Sequence, residues 1–327
     1  MPGFLTHYIA GQAVFNSTNP EIHDIIKKSE KLYNLGAQGP DIFFYYLPGI
    51  IRKRSRNLGG EMHKNDLGLF IARMAHYAKN IAMPKCGKTD CLAAAKTKQE
   101  LIFAYTAGLI MHYVVDVHAH PYVYAKVYKE GASDIKNSTD HRLFETAIDV
   151  AMLKLVSGKK PADYSQWELI RASRDQMRVA AKAMSHSLKL VYDRTVTTKE
   201  VVQAMRHMIQ LTRVLRSRDG RRKKWAAIVE GLTIGEPLFS SLVHAQEMDN
   251  STDYLNEKKE PWQAPWETAT ECTDSFIERF KSATEEGLDI INSLYQYVYG
   301  NLSLQELGNI LGNRSLQTGC PCSMKVW

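Results

Sequence analysis

Residues 110–124, IMHYVVDVHAHPYVY, place three histidines and an aspartate within nine positions of an otherwise apolar and aromatic stretch. Successive residues of an α-helix are rotated by roughly 100°, so His112, Asp116 and His120, at steps of four, share one stripe. His118 lies about 240° round from His112 on that geometry and is expected to face elsewhere. Ionisable groups on an apolar helix are costly unless partnered. A metal ion is one such partner, and a hydrogen-bonded His-Asp-His network is the other.

A second chelating pair stands in DHRLFETAID, where His141 and Glu145 are again four apart. One such pair arises easily by chance, but two on neighbouring helices favour a metal. Zinc suits this mixture of imidazole and carboxylate. Further candidates lie upstream: His7, His23, Asp41 after GAQGP, His63 in GGEMHKND, and His76. Asp41 follows Pro40, a favoured first helical residue, so its carboxylate would project from a helix N-terminus. His76 would lie about 220° round from His63 on a shared helix, so only one of them could face the site.

These residues need helices to hold them. From Gln99 onward the apolar positions Leu101, Phe103, Ala104, Ala107, Leu109, Ile110, Met111, Val114 and Val115 describe a central helix apolar nearly all round. Pro121 is expected to end or kink it. Helical patterns follow at 140–157, 165–193, 198–217, 224–231, 266–297 and 303–311, while strand-like alternation is scarce. No repeat or low-complexity linker divides the chain, and Pro261 to Trp266 reads as a connection. The expectation is all-α: a single compact multi-helix domain over residues 1–327 with a buried metal cluster.

Composition narrows the function classes. Hydrophobic residues at 44% and charged residues at 24% describe a folded globular chain. A formal charge of +7 suits an anionic partner: nucleic acid, a phosphate ester or an acidic membrane surface. The densest basic clusters are Arg52 to Arg56 and Arg216 to Lys224; a solvated face or loop is the expected role of each, and peripheral contact with anionic lipid the alternative. The first residues lack the pattern of a secretory signal, and no uninterrupted apolar run approaches 18 residues, so a cytoplasmic protein without a membrane span is expected. Five cysteines, including Cys86 with Cys91 and Cys320 with Cys322, do not make zinc-ribbon pairs and are expected to be reduced thiols. GxSxG, GxxxxGK and GxGxxG motifs are absent, which removes support for serine-hydrolase and nucleotide-binding readings.

The motifs THYIAG, LGAQGPDIFFYY, GEMH, GLIMHYVVDVHAHPYV, HRLFE and GNRSLQTG together resemble the bacterial zinc-dependent phospholipase C family, all-helical enzymes with clustered zinc ions, from about residue 3 to about residue 319. The resemblance implies one zinc on Asp41, His63, His112 and Asp116, a second on His120, His141 and Glu145, and a third on His7 with Asp116 shared: two or three ions in all. Secreted members complete the third site with an N-terminal tryptophan, whereas the first tryptophan here is Trp167. Choline-phosphate-cleaving members carry an aromatic directly after the aspartate matching Asp41, and here that residue is Ile42, followed by Phe43, Phe44, Tyr45 and Tyr46. The lipid-binding β-sandwich of toxin members has no counterpart in the helical pattern.

The implied reaction is attack of water on a phosphodiester, of a phospholipid or of a small soluble ester. Clustered divalent ions offset transition-state charge and lower the pKa of water to about 7. Asp41 is the candidate general base, with other acidic residues near the site as alternatives. Two other readings compete. A three-zinc single-strand nuclease family is similar in its ligand set, and a polyanion suits the basic chain. A non-catalytic protein stapled by zinc would need sites closed by four protein ligands.

Overall fold

The computed structural model describes residues 3–46, 56–81, 89–128, 134–215, 252–267 and 271–322. Helices account for nearly all of the regular structure, and isolated bridges Trp262 to Cys272 and Arg314 to Pro321 are the nearest approach to a sheet among the described residues.

In chain order the helices are α1 (Phe4–Ser17), α2 (Pro20–Lys27), α3 (Glu30–Gly36), a 3-10 helix (Gly39–Tyr45), α4 (Arg56–Lys64), α5 (Leu67–Ile81), α6 (Thr89–Val127), α7 (Asp134–Ser157), a 3-10 turn (Pro161–Asp163), α8 (Gln166–Leu169), α9 (Arg174–Tyr192), α10 (Thr198–Leu215), α11 (Phe276–Tyr299) and α12 (Leu304–Leu311). The expected all-α architecture is present.

Helix α6 is the axis of the molecule. It opens on strong helix formers, LAAAKTKQEL, and then turns apolar on every side. That composition is stable in water because α3, α5, α9 and α11 pack on it, together with α1, α2 and α7. The same length and composition would let it cross a membrane, but 89% of its most apolar window is buried against these neighbours.

Two apolar clusters meet along α6. The larger uses its residues from Ile102 to Val117, with α2, α3, α5, α9, α10 and α11. The smaller begins at Ala119 and joins Tyr122, Val123 and Val127 to Leu5 and Ile9 of α1, Ile148, Met152 and Leu153 of α7, and Leu255, Trp262 and Phe276. Asp116 and His120 flank the seam, where a polar group would have no apolar reason to stand.

Several boundaries differ from the sequence expectation. Pro121 does not end α6, which runs on to Val127. An interior proline costs about 3 kcal/mol, and burial of Tyr122, Val123 and Val127 in the second cluster offsets it. The pattern at 165–193 is two helices, because Ser173 and Gln176 form a capping box that starts α9 afresh. Likewise the pattern at 266–297 has its described helix only from Phe276, under the capping box of Ser275 and Glu278; ahead of it the chain carries Pro261 and Pro265, and the described residues 252–267 and 271–275 are not helical. The helix expected at 224–231, the basic cluster at 216–224, Arg52 to Arg54 and Cys86 lie outside the described residues. Among the described residues Cys272, Cys320 and Cys322 are free thiols.

Candidate metal centre

The centre is built from four segments that converge on one face of α6. The start of α1 is fixed by Asp149 of α7, whose carboxylate accepts from the Leu5 and Thr6 amides at 2.9 and 2.8 Å and from the Thr6 hydroxyl at 2.6 Å. An acidic group there satisfies helix-end donors and complements the dipole. The next residue, His7, is thereby turned inward, with Nε2 3.2 Å from Asp116 Oδ1 and its ring stacked on His112 at 4.2 Å between centroids.

Asp41 sits in the first turn of the 3-10 helix, behind Pro40. Gly39 makes the turn possible: its φ is +51°, and a Cβ there would lie 2.3 Å from the His112 ring. His63 lies at the end of α4. Asp66, in left-handed backbone at φ 59°, separates α4 from α5. His63 and His76 are therefore on different helices. His63 faces Asp41 Oδ1 at 3.2 Å, while His76 pairs with the Tyr297 hydroxyl at 2.8 Å, away from the cluster.

The donors form three buried groups, with ligand atoms in each within 4.8 Å of one another: His7, His112 and Asp116; Asp41, His63 and His112; and His120, His141 and Glu145. The first two share His112 and make a deep cluster; the third is an outer cluster. Asp116 faces both ways within the deep cluster, Oδ1 toward His7 and Oδ2 3.1 Å from His112 Nε2 and 3.7 Å from His63 Nε2. In the outer cluster Glu145 Oε1 lies 2.6 Å from His141 Nε2 and 3.5 Å from His120 Nε2. His118 and His23 are not in these groups: His118 Nε2 contacts Glu286 at 2.6 Å, and His23 stacks on Phe15 at 4.5 Å.

Zinc fits this donor set for a specific reason. His112 gives its Nδ1 hydrogen to the Ala37 carbonyl at 3.2 Å, His63 gives its own to Gly59 at 2.6 Å, and His120 gives its own to Leu316. A carbonyl only accepts, so each neutral ring turns the lone pair of Nε2 toward the carboxylates. The buried His7, His112 and His120 Nε2 atoms, Asp41 Oδ1 and both Asp116 oxygens make no hydrogen bond of normal geometry. Lone pairs facing lone pairs repel, and a shared cation relieves them. Anchoring of the far ring nitrogen is also how metal-binding histidines are held.

The electrostatics show how strongly these groups act on one another. Burial acts against charge on Asp116, yet His112 and His120 outweigh it and hold this carboxyl well below the usual range. Burial likewise opposes a charged His112, but Asp116 and Asp41 prevail and raise its pKa. Burial lowers His7, with His112 adding to the effect. It pushes His141 down to about 4, Glu145 only partly offsetting it. Glu145 itself is lowered because His141 overcomes the cost of its burial. The outer imidazole is thus neutral, and ready to ligate, at neutral pH.

Several neighbours carry no signal in the spacing of ionisable residues. Tyr124 adds one more step of four to the stripe, its ring centroid 4.7 Å from His141 and 5.4 Å from Trp266. Phe44 lies 5.4 Å from the His63 ring, whereas Ile42, Phe43 and Tyr45 are core. The carbonyls of Ala37, Gly59 and Leu316 could not be found from residue types at all, because every residue has one.

A family model described as zinc dependent phospholipase C matches residues 4–199, more than half of the chain and a span that contains all eight donors. No curated protein and no solved structure matches. With that match added to the donors gathered around α6, the chain belongs to the zinc-dependent phospholipase C family.

Proposed function

We propose that the chain hydrolyses a phosphodiester, a phospholipid headgroup ester or a related small diester, at the face of α6 that carries the two donor clusters. The observation that carries this reading is the set of buried His7, His112, Asp41 and Asp116 atoms that face one another at 3.1–3.8 Å without hydrogen bonds of normal geometry. Membership of a phospholipase family supplies the substrate class.

His120, His141 and Glu145 would hold one zinc, Asp41, His63, His112 and Asp116 a second, and His7 with Asp116 a third. Zinc so placed supplies positive charge against phosphate oxygens and acidifies water. Three protein donors at the outer cluster leave a coordination position open, as catalytic sites do and structural sites do not.

Of the three carboxylates, Asp41 has the most solvent access: its side chain is 10% exposed, against 0% for Asp116 and 5% for Glu145. That access supports Asp41 as the group that takes a proton from the attacking water as the bond to phosphorus forms. That proton then passes to the departing alkoxide. Asp116, without solvent contact, keeps the imidazoles aligned. Tyr124 and Trp266 border the outer cluster and offer apolar contact to the leaving group.

The test is zinc per chain by elemental analysis on a preparation assayed with a chromogenic choline-phosphate diester and with single-stranded DNA, before and after chelation. Two or three ions with chelator-sensitive diester cleavage are expected. Cleavage of DNA alone would move the reading to a nuclease, and zinc without any hydrolysis would leave a structural role.

A further inference from the structure

The motif GNRSLQTG near the C-terminus lies outside the matched 4–199 span and contributes no metal-binding side chain, yet its backbone reaches both donor clusters. The Leu316 and Gln317 amides and the Ser315 hydroxyl all donate to the His63 carbonyl, at 2.8, 3.3 and 3.3 Å. The Leu316 carbonyl, with its side chain fully buried, accepts from His120 Nδ1. One residue thus touches a donor of the deep cluster through its N–H and a donor of the outer cluster through its C=O.

The turn is itself closed and tethered. The Ser315 amide donates to the Cys320 carbonyl at 2.9 Å, the Gly319 amide to Ser315 at 2.8 Å, and the Cys322 amide to Asn313 at 2.8 Å. Asn313 donates to Asp66 at 3.0 Å, beside the break between α4 and α5. Arg314 pairs with Glu286 of α11, and its amide donates to the Tyr113 hydroxyl of α6 at 2.9 Å. Gly319, at φ +71°, lies against the Val117 carbonyl, the group that Pro121 has no N–H to bond. A Cβ at Gly319 would stand 2.7 Å from that oxygen. The turn therefore grips α6 at Tyr113 and Val117, alongside the donor stripe, and ties α4 to it.

We infer that the turn Asn313–Cys322 is a positioning clasp for the metal centre: it fixes the ring of His120 and the backbone of His63, and so sets how tightly the outer cluster retains zinc. This rests on the zinc reading above. A carbonyl that takes the Nδ1 hydrogen holds the ring so that Nε2 points at Glu145; without it the ring is free to rotate and the donor set is lost part of the time.

The experiment compares full-length wild type and Gly319→Ala, which forces the turn off the Val117 carbonyl. Both are stripped with chelator, melted without metal, then reloaded with zinc in a competing-chelator titration and, separately, with cobalt(II) for its visible absorption. His141→Ala marks the ion and the absorption band of the outer cluster. The expected result is a metal-free protein that still melts cooperatively, at a lower temperature than wild type because alanine resists the left-handed turn, with that one ion bound about 10- to 100-fold more weakly and its band altered, the range seen when such supporting contacts are removed. A folded Gly319→Ala protein with wild-type zinc affinity and cobalt spectrum overturns the clasp. Should that variant not fold, Asn313→Ala with Ser315→Ala removes side-chain tethers alone; a smaller weakening in the same direction is expected, and wild-type affinity again overturns it. A wild-type protein that takes up no zinc overturns the metal reading itself, which is a different result.

Discussion

The deep and outer clusters are made of the same residue types but assembled differently. The outer one uses one pair on neighbouring turns, His141 with Glu145 on α7, and His120 on α6, and it borders Tyr124 and Trp266 with His141 12% exposed. The deep one draws on α1, the 3-10 helix, α4 and α6, and its hub residues His112 and Asp116 are fully buried. Helical spacing within α7 and one contact between helices bring the three outer donors together, whereas five donors from four segments need the tertiary fold to be complete. Loss of a donor should then be local in the outer cluster and general in the deep one.

Asp116→Asn is the sharpest way to break that contrast. The substitution removes the one charge that faces His7, His112 and His63 together. It should abolish nearly all diester cleavage and most bound zinc, whereas His141→Ala should release a single ion and leave the deep cluster loaded. Elemental analysis of the two proteins decides it: equal zinc losses would mean that the clusters are not distinct in kind. Asp41→Asn comes next. As an amide it can still approach the cluster but cannot take a proton, so turnover should fall by about 10²- to 10⁴-fold. Zinc content should fall far less than in Asp116→Asn; a rate within a few-fold of wild type would move the base to another acid.

The same contrast explains what could be read from the sequence. Steps of four at 112, 116 and 120, and at 141 and 145, are a helical property, so the stripe and the second pair were visible without a fold. His7, Asp41 and His63 carry no spacing relation to α6, and only the resemblance to a family linked them. His76 and His63 could not be told apart, because the break at Asp66 depends on a left-handed residue that no periodicity marks. Of the end or kink expected at Pro121, the end does not occur: the local rule is sound, but the apolar residues after it have a core to enter. Leu316 illustrates the limit, since its contribution is made by backbone atoms.

Gly39→Ala tests whether the deep cluster depends on backbone shape as well as on donors. The added Cβ meets the His112 ring in a left-handed turn that alanine resists. Metal-free stability should fall by about 1–3 kcal/mol, read from the urea midpoint, with weaker zinc binding at the deep cluster and none of that loss at the outer one. Equal weakening at both clusters would show that the substitution acts through global instability.

Glu286→Gln should give the smallest effect, and its pH dependence is the informative part. Partial burial works against the Glu286 carboxylate, but His118 and Arg314 lower its pKa below the usual 4.5. A carboxyl with a lowered folded-state pKa contributes stability above its unfolded value, and that contribution is lost as pH falls through the folded value. Wild type should therefore be more stable than Glu286→Gln by on the order of 1 kcal/mol at neutral pH, because the pair with Arg314 is partly solvated. The difference should shrink as pH drops below about 4.5 and vanish below the lowered folded-state value, where both proteins carry a neutral side chain. Urea unfolding of the metal-free proteins at several pH values measures it without interference from zinc release. A gap that stays constant down to low pH would mean that Arg314 and the C-terminal turn are held by packing rather than by this charge. The outer cluster would then owe its alignment to the hydrogen bonds of Leu316 alone.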